Sequence, residues 1–229
     1  MWVAIINGLM GLMVIATVEA AKDGNDGPPL LFMYGIFGGM FVAFGVMIIM
    51  QRVLVREKQS GTAAWVLSKP VTRTAFVVSR LVVNSVAILL TTVIIPGMLL
   101  YLTLGLFSDI GWLSPIGYIA GISMFLLHTF HWIAFVLMMG TLLESSGGVL
   151  GVTMFLYFFF WYGPSLIPQL TYISPIMLTF SPDPDHMSAL AISFMSGEPV
   201  FSWLPLLATI VSCVIFIGVA IRRFNRQEF

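Results

Sequence analysis

Nearly all the positive charge of this chain is packed into two short gaps between long apolar stretches. Nine of its ten Lys and Arg residues lie either between Arg52 and Arg80 or in the tail Arg222, Arg223, Arg226. Cationic loops resist translocation, so clusters of this kind mark the cytoplasmic face of a membrane protein. The acidic residues segregate the other way. Glu19, Asp23, Asp26, Asp109, Asp183, Asp185 and Glu198 fall in the gaps opposite the cationic ones. Charged residues make up only 9% of the chain against 59% apolar, whereas a soluble domain carries roughly 25% charge. That leaves too little polar surface to face water, so the bilayer has to be the solvent.

A helix that crosses hydrocarbon needs about 20 mostly apolar residues. Six stretches approach that length: 2–18, 30–51, 81–106, 116–143, 147–162 and 204–221. Threaded back and forth, they place 52–80, 144–146 and the C-terminal tail on one side. Charge and parity then agree on both termini in the cytoplasm. The expectation is an all-α, multi-pass protein of the cell (plasma) membrane, with 1–229 as a single transmembrane domain. Val18-Glu19-Ala20 resembles a signal cleavage site, but no cation precedes Lys22, so 2–18 is read as a span rather than a secretory signal. The lone Cys213 sits inside an apolar run, which excludes an intrachain disulfide and gives no thiol-based metal cluster.

Pro96, within the third stretch, removes a backbone donor and predicts a kink. Three small-residue pairs, Gly35/Gly39, Gly117/Gly121 and Gly147/Gly151, allow close helix approach. Packing within one chain is favoured over dimerisation for them. The fifth stretch ends in an aromatic run, 155–162, which fits anchoring at the headgroups. The segment 163–203 carries Pro164, Pro168, Pro175, Pro182, Pro184 and Pro199, yet is too apolar for a solvated loop. Non-helical backbone at membrane depth survives only where protein or a water cavity satisfies it. Short re-entrant helices in the outer leaflet are therefore expected, with 166–173 and 187–195 as candidates. A globular cap on the membrane surface is the alternative.

The segment 52–80 is too polar to span and too apolar for a free linker. Ser60-Gly61-Thr62 offers a start for a helix over 63–67. Pro70 then disfavours helix at Lys69. Trp65 on that helix suits a membrane interface or a partner's groove. Arg56-Glu57, Gly61-Thr62, Leu67-Ser68, Pro70-Val71 and Arg73, followed by Arg80 at the head of the next span, resemble the cytoplasmic signature of type-2 ABC transporter permeases. Tyr172-Ile173-Ser174-Pro175 and the ending from Arg222 to Phe229 are similar to that family's later landmarks. The match departs in two places. Trp2 already opens an apolar stretch where such permeases usually carry an amphipathic elbow helix, and Ala63-Ala64-Trp65 stands where a leucine-rich run is common.

The resemblance implies one half of a dimeric pathway, with a second permease subunit, identical or not, as the other half. It implies a cytoplasmic ABC ATPase docked on a coupling helix between spans two and three. It also implies export as the usual direction and a prokaryotic setting. Contact with the ATPase would fall on Arg56, Glu57, Gly61, Thr62, Trp65, Leu67, Pro70 and Arg73. ATP and Mg would sit on the partner, not on this chain. The residues agree with that division, since no G-x-x-x-x-G-K-[ST] occurs to cradle phosphates. The chain is thus expected to be no enzyme, to bind no cofactor of its own and to have the bilayer, not nucleic acid, as its further partner.

Other residues carry weaker readings. Glu57 lies among Arg52, Arg56 and Lys58, and reads either as a charge-assisted bond that fixes the short helix or as an exposed ion pair. His128 and His131 share a helix face in mid-span, where polar groups line pathways or bond between helices. A metal site there would lack further ligands. Asp183, Asp185 and His186 read as a proline-pinned acidic turn or a cation contact. Glu144 reads as a solvated turn residue. An intramembrane enzyme would want a nucleophile motif or H-E-x-x-H beside the histidines, and a passive channel would want rings of charge inside the spans. The sequence has neither. Apolar spans suit a hydrophobic or amphipathic cargo, though the bilayer demands the same composition.

Overall fold

The computed structural model describes residues 30–107, 111–181 and 188–227, and from the first apolar stretch residues 4, 5, 7–9, 11, 12, 15 and 16. The last group is helical throughout. The rest of that stretch, and Asp183, Asp185 and His186, lie outside the described residues. Among the described residues, five helices are long and apolar enough to cross a bilayer, and every regular element is helical.

The second apolar stretch is α1 (Leu30–Ile36), a π-helical turn (Phe37–Phe41) and α2 (Val42–Met50), end to end. Two short helices follow, α3 (Val53–Gln59) and α4 (Thr62–Leu67). The third stretch is α5 (Arg73–Leu89), a second π turn (Leu90–Ile94) and α6 (Ile95–Phe107). Next come α7 (Pro115–Leu142) and α8 (Ser146–Leu166). Two 3-10 turns (Pro168–Tyr172 and Pro175–Leu178) lead to α9 (Leu190–Ser196) and α10 (Leu204–Asn225).

Caps, rather than apolar boundaries, set several ends. Helix α5 begins at Arg73, well before the expected 81, because Thr72 Oγ1 accepts the Ala75 amide at 3.1 Å. Ser145 Oγ starts α8 by accepting the Gly148 amide at 3.1 Å. Helices α8 and α10 also run past the expected 162 and 221. Pro96 falls just after the π turn Leu90–Ile94. A proline ring crowds the carbonyl four residues back and offers no donor to it, and a widened turn at that point relieves both problems.

Helix α7 is the centre of the fold and packs against α2, α3, α5, α8, α9 and α10. Trp132, Phe125 and Ile133 on it are fully buried. Glycines hold the segment between α8 and α10 in place. A Cβ at Gly35 would meet the Thr179 carbonyl oxygen at 2.6 Å, and one at Gly39 would strike the Thr179 hydroxyl. On α7, a Cβ at Gly117 would meet the Phe194 carbonyl oxygen at 2.5 Å, and one at Gly121 the Ala191 carbonyl oxygen at 2.7 Å. These two pairs therefore serve packing within the chain. Around Gly147 and Gly151 there is open space, so that pair has no such role here.

Residues 174–181 are buried between helices, and His128 Nδ1 donates to the Pro175 carbonyl at 2.9 Å. His128 is near the middle of α7, so the segment penetrates to mid-height. A cap resting on the surface does not describe it. Of the two expected short helices, 166–173 takes the form of the 3-10 turn Pro168–Tyr172, and 187–195 that of α9. Pro168 falls inside the expected 166–173 helix, where a proline breaks the α-helical ladder, and opens the 3-10 turn instead.

Candidate coupling surface at the cationic end

Helix α3 leaves the bundle with Leu54 and Val55 buried and Arg56 exposed. It closes with the Ser60 amide on the Arg56 carbonyl at 2.9 Å. Gly61 then turns the chain at φ 74°, ψ 0°. Nothing lies within 4 Å of a Cβ placed there. The need for glycine is thus in the backbone, since the left-handed region disfavours side chains. Helix α4 begins at Thr62, one residue before the expected start, and Thr62 Oγ1 lies 2.8 Å from Ser60 Oγ. Ala63 is buried and seats α4 on the bundle, while Trp65 is 67% exposed. Lys69 Nζ lies 5.6 Å from the Trp65 ring centre, within cation–π range. Leu67 packs at the edge of the core. Pro70 follows once α4 has ended, as the sequence requires.

Four attachments tie this segment to the bundle. Glu57 and Arg80 form a two-pronged ion pair, Nη2 to Oε1 at 2.6 Å and Nε to Oε2 at 3.1 Å. Their side chains are 19% and 36% exposed. Lys58 Nζ donates to the Leu143 carbonyl at 3.0 Å and Gln59 Nε2 to the Glu144 carbonyl at 2.8 Å. Both meet the C-terminal end of α7, where the helix dipole favours a cation. Arg73 Nη1 donates to the Asn225 and Gln227 carbonyls at 2.9 and 2.5 Å, clasping the end of α10. Gln227 Nε2 in turn donates to the Thr141 carbonyl at 2.7 Å. The Arg80 guanidinium also sits 5.3 Å from the Phe76 ring centre, and Phe76 stacks on Phe224 of α10 at 5.3 Å and 12°.

Burial pushes the Glu57 carboxyl above the ordinary carboxylate range, against the opposing pull of Arg80. It likewise lowers the Lys58 amine, against the opposing effect of Glu144. Glu57 therefore fixes α3 to α5 two turns in from Arg73, and its partner is Arg80 rather than its sequence neighbours Arg52, Arg56 and Lys58. Arg80 was legible as the cation heading the third span. Lys58, Gln59, Thr141 and Gln227 carried no local sequence signal, because their bonds join points more than eighty residues apart.

His128 and His131 lie apart from this surface, buried in the subunit. His128 holds the Pro175 carbonyl, and His131 Nδ1 lies 3.0 Å from Ser212 Oγ on α10. The first ties α7 to the proline-rich segment and the second ties it to α10. Among the described residues no group of three His, Cys, Asp or Glu is placed to hold a metal ion.

Residues 7–229 match the family model described as ABC-2 family transporter protein. The chain belongs to the ABC-2 transporter family. No curated protein matches it. The match covers the 52–80 segment, the buried proline-rich segment and the cationic tail. For an ABC-2 chain with several membrane-crossing helices, a transport subunit is the role that follows.

Proposed function

We propose that this chain is the transmembrane permease subunit of an ATP-driven exporter in a prokaryotic plasma membrane, powered by a separate ATPase that binds ATP and Mg. Two permease subunits form the pathway, and the cargo is hydrophobic or amphipathic. Both termini and the 52–80 segment face the cytoplasm. The observation that carries this reading is the exposed Trp65 on α4, which is seated by buried Ala63 and follows α3, whose Glu57 and Lys58 reach α5 and the end of α7. A large aromatic left uncovered beside Lys69, on a well-anchored helix, is the kind of anchor that a partner's pocket covers.

The test is co-expression with a P-loop ATPase of the ABC class, followed by quantitative pull-down and transport assay. Trp65→Ala and Gly61→Val should each reduce ATPase capture while leaving membrane insertion intact, and the lone chain should hydrolyse no ATP. Full capture and full transport by both variants would overturn the coupling role.

A further inference from the structure

A cavity of about 400 Å³ opens between α6 and α7, away from the coupling surface and from the buried proline-rich segment. We infer that it is a binding site for one acyl chain of a membrane lipid, entering sideways from the leaflet farther from the cationic end. The inference stands independently of the transport role proposed above.

The walls decide the chemistry. Met98, Leu102, Ile119, Ile122 and Leu126 are among the cavity's apolar lining residues. The three hydroxyls on the wall are already used. Tyr118 Oη donates to the Gly97 carbonyl, Tyr101 Oη to the Leu113 carbonyl at 3.2 Å, and Ser123 Oγ to the Ala120 carbonyl at 2.6 Å. No side-chain donor is left over for a polar ligand. Water needs two to four polar partners to stay in a cavity, so it has little reason to fill this one. An empty cavity forfeits dispersion contacts with its lining. A hydrocarbon chain restores them.

The dimensions decide the source. On α7 the lining runs from Pro115 to Leu126, about 16 Å at 1.5 Å per residue. Half of a bilayer's hydrocarbon core is about 15 Å. Trp112, 57% exposed, stands just beyond the Pro115 end, where an aromatic ring marks the headgroup level. The slot therefore has the depth of one leaflet, with Ile94 and Leu126 toward mid-membrane. Its mouth is lateral, since Met98 and Ile119 on the two sides are 63% and 69% exposed. A lipid whose headgroup rests beside Trp112 can lower one chain along this slot without leaving the bilayer.

The experiment uses the full chain in nanodiscs of phosphatidylcholine that carries a diazirine midway along one acyl chain. After irradiation, adducts are mapped by peptide mass spectrometry. Adducts on Met98, Leu102 and Ile119 should exceed several-fold those on Val211, Val214 and Ile215 of α10, which are comparably exposed. Ser123→Phe should bring the slot down to the α10 level, and Leu102→Trp does the same by a second route should the first variant fail to fold. Equal labelling of both faces in the unaltered protein means annular lipid only and overturns the site. So do adducts that persist in a folded, filled variant. Protection of the slot together with copy-to-copy disulfide cross-linking of Met98→Cys or Ile119→Cys would mean that a second copy sits there, and also overturns it.

Discussion

Removing the Glu57 carboxylate should loosen the short helices without unfolding the bundle. In the structure Glu57 accepts two bonds from Arg80, at 2.6 and 3.1 Å. A hydrogen bond to a charged group contributes about 1.5–3 kcal/mol when buried, whereas an exposed ion pair contributes about 0–1 kcal/mol. Side chains 19% and 36% exposed fall between these limits, so about 2 kcal/mol is expected for the pair. At 1.4 kcal/mol per tenfold that is roughly a 30-fold change in the local opening equilibrium. Hydrogen exchange of the amides in α3 and α4, measured on the protein in nanodiscs, reads that change directly. Glu57→Ala should speed exchange there by roughly 30-fold, and Arg80→Ala by a similar factor. The double variant should be little worse than either single one, because both lose the same bond. Glu57→Gln should fall between, since one oxygen can still accept. Unchanged exchange in Glu57→Ala, or a double variant that simply adds the two single effects, would falsify the bond's role.

Three further outcomes follow from the packing. Gly39→Val drives a side chain into Thr179 and should lower the unfolding temperature, at a cost of about 1–3 kcal/mol, while Gly151→Val, with open space around it, should leave the unfolding of the lone subunit unchanged. Equal effects at both positions would contradict the packing. His128→Phe keeps an aromatic ring but strands the Pro175 carbonyl, a loss of about 1–3 kcal/mol, so limited proteolysis should cut 163–203 faster. An unchanged cleavage rate would mean that His128 does not hold that segment. Membrane-impermeant labelling of single cysteines in intact cells should reach positions 26 and 185 but not 69 or 227. External labelling at 69 would reverse the topology.

The helices and their broad order were legible because apolar length and charge segregation act locally along the chain. The left-handed turn at Gly61 was legible too, since Ser60-Gly61-Thr62 is a local start signal and Gly61 alone tolerates φ 74°. What stayed hidden was set by contacts distant in sequence. Arg80 lies 23 residues from Glu57, and the nearer cations Arg52, Arg56 and Lys58 competed for it on paper. Direction decided the matter, because α3 aims Glu57 at α5 and Lys58 at the end of α7. The start of α5 was missed because Thr72 caps a helix that is still polar at its first turn. The histidines were visible as costly mid-span polar groups, but only the fold pairs one with the proline-rich segment and the other with α10.

Helix α7 has a mechanical meaning that its packing alone does not state. It is 28 residues long, about 42 Å of stiff rod at 1.5 Å per residue. Lys58 and Gln59 grip one end, and His128 grips the buried Pro175 carbonyl 14 residues from Leu142, about 21 Å along the rod. A tilt of about 5° pivoting at the gripped end would carry His128 sideways by about 2 Å over that length, and Pro115 by about twice as much. Shifts of an ångström or two are the size at which packed helix interfaces switch arrangement. Any tilt of α7 about its gripped end would thus arrive, enlarged with distance, at the proline-rich segment that His128 holds.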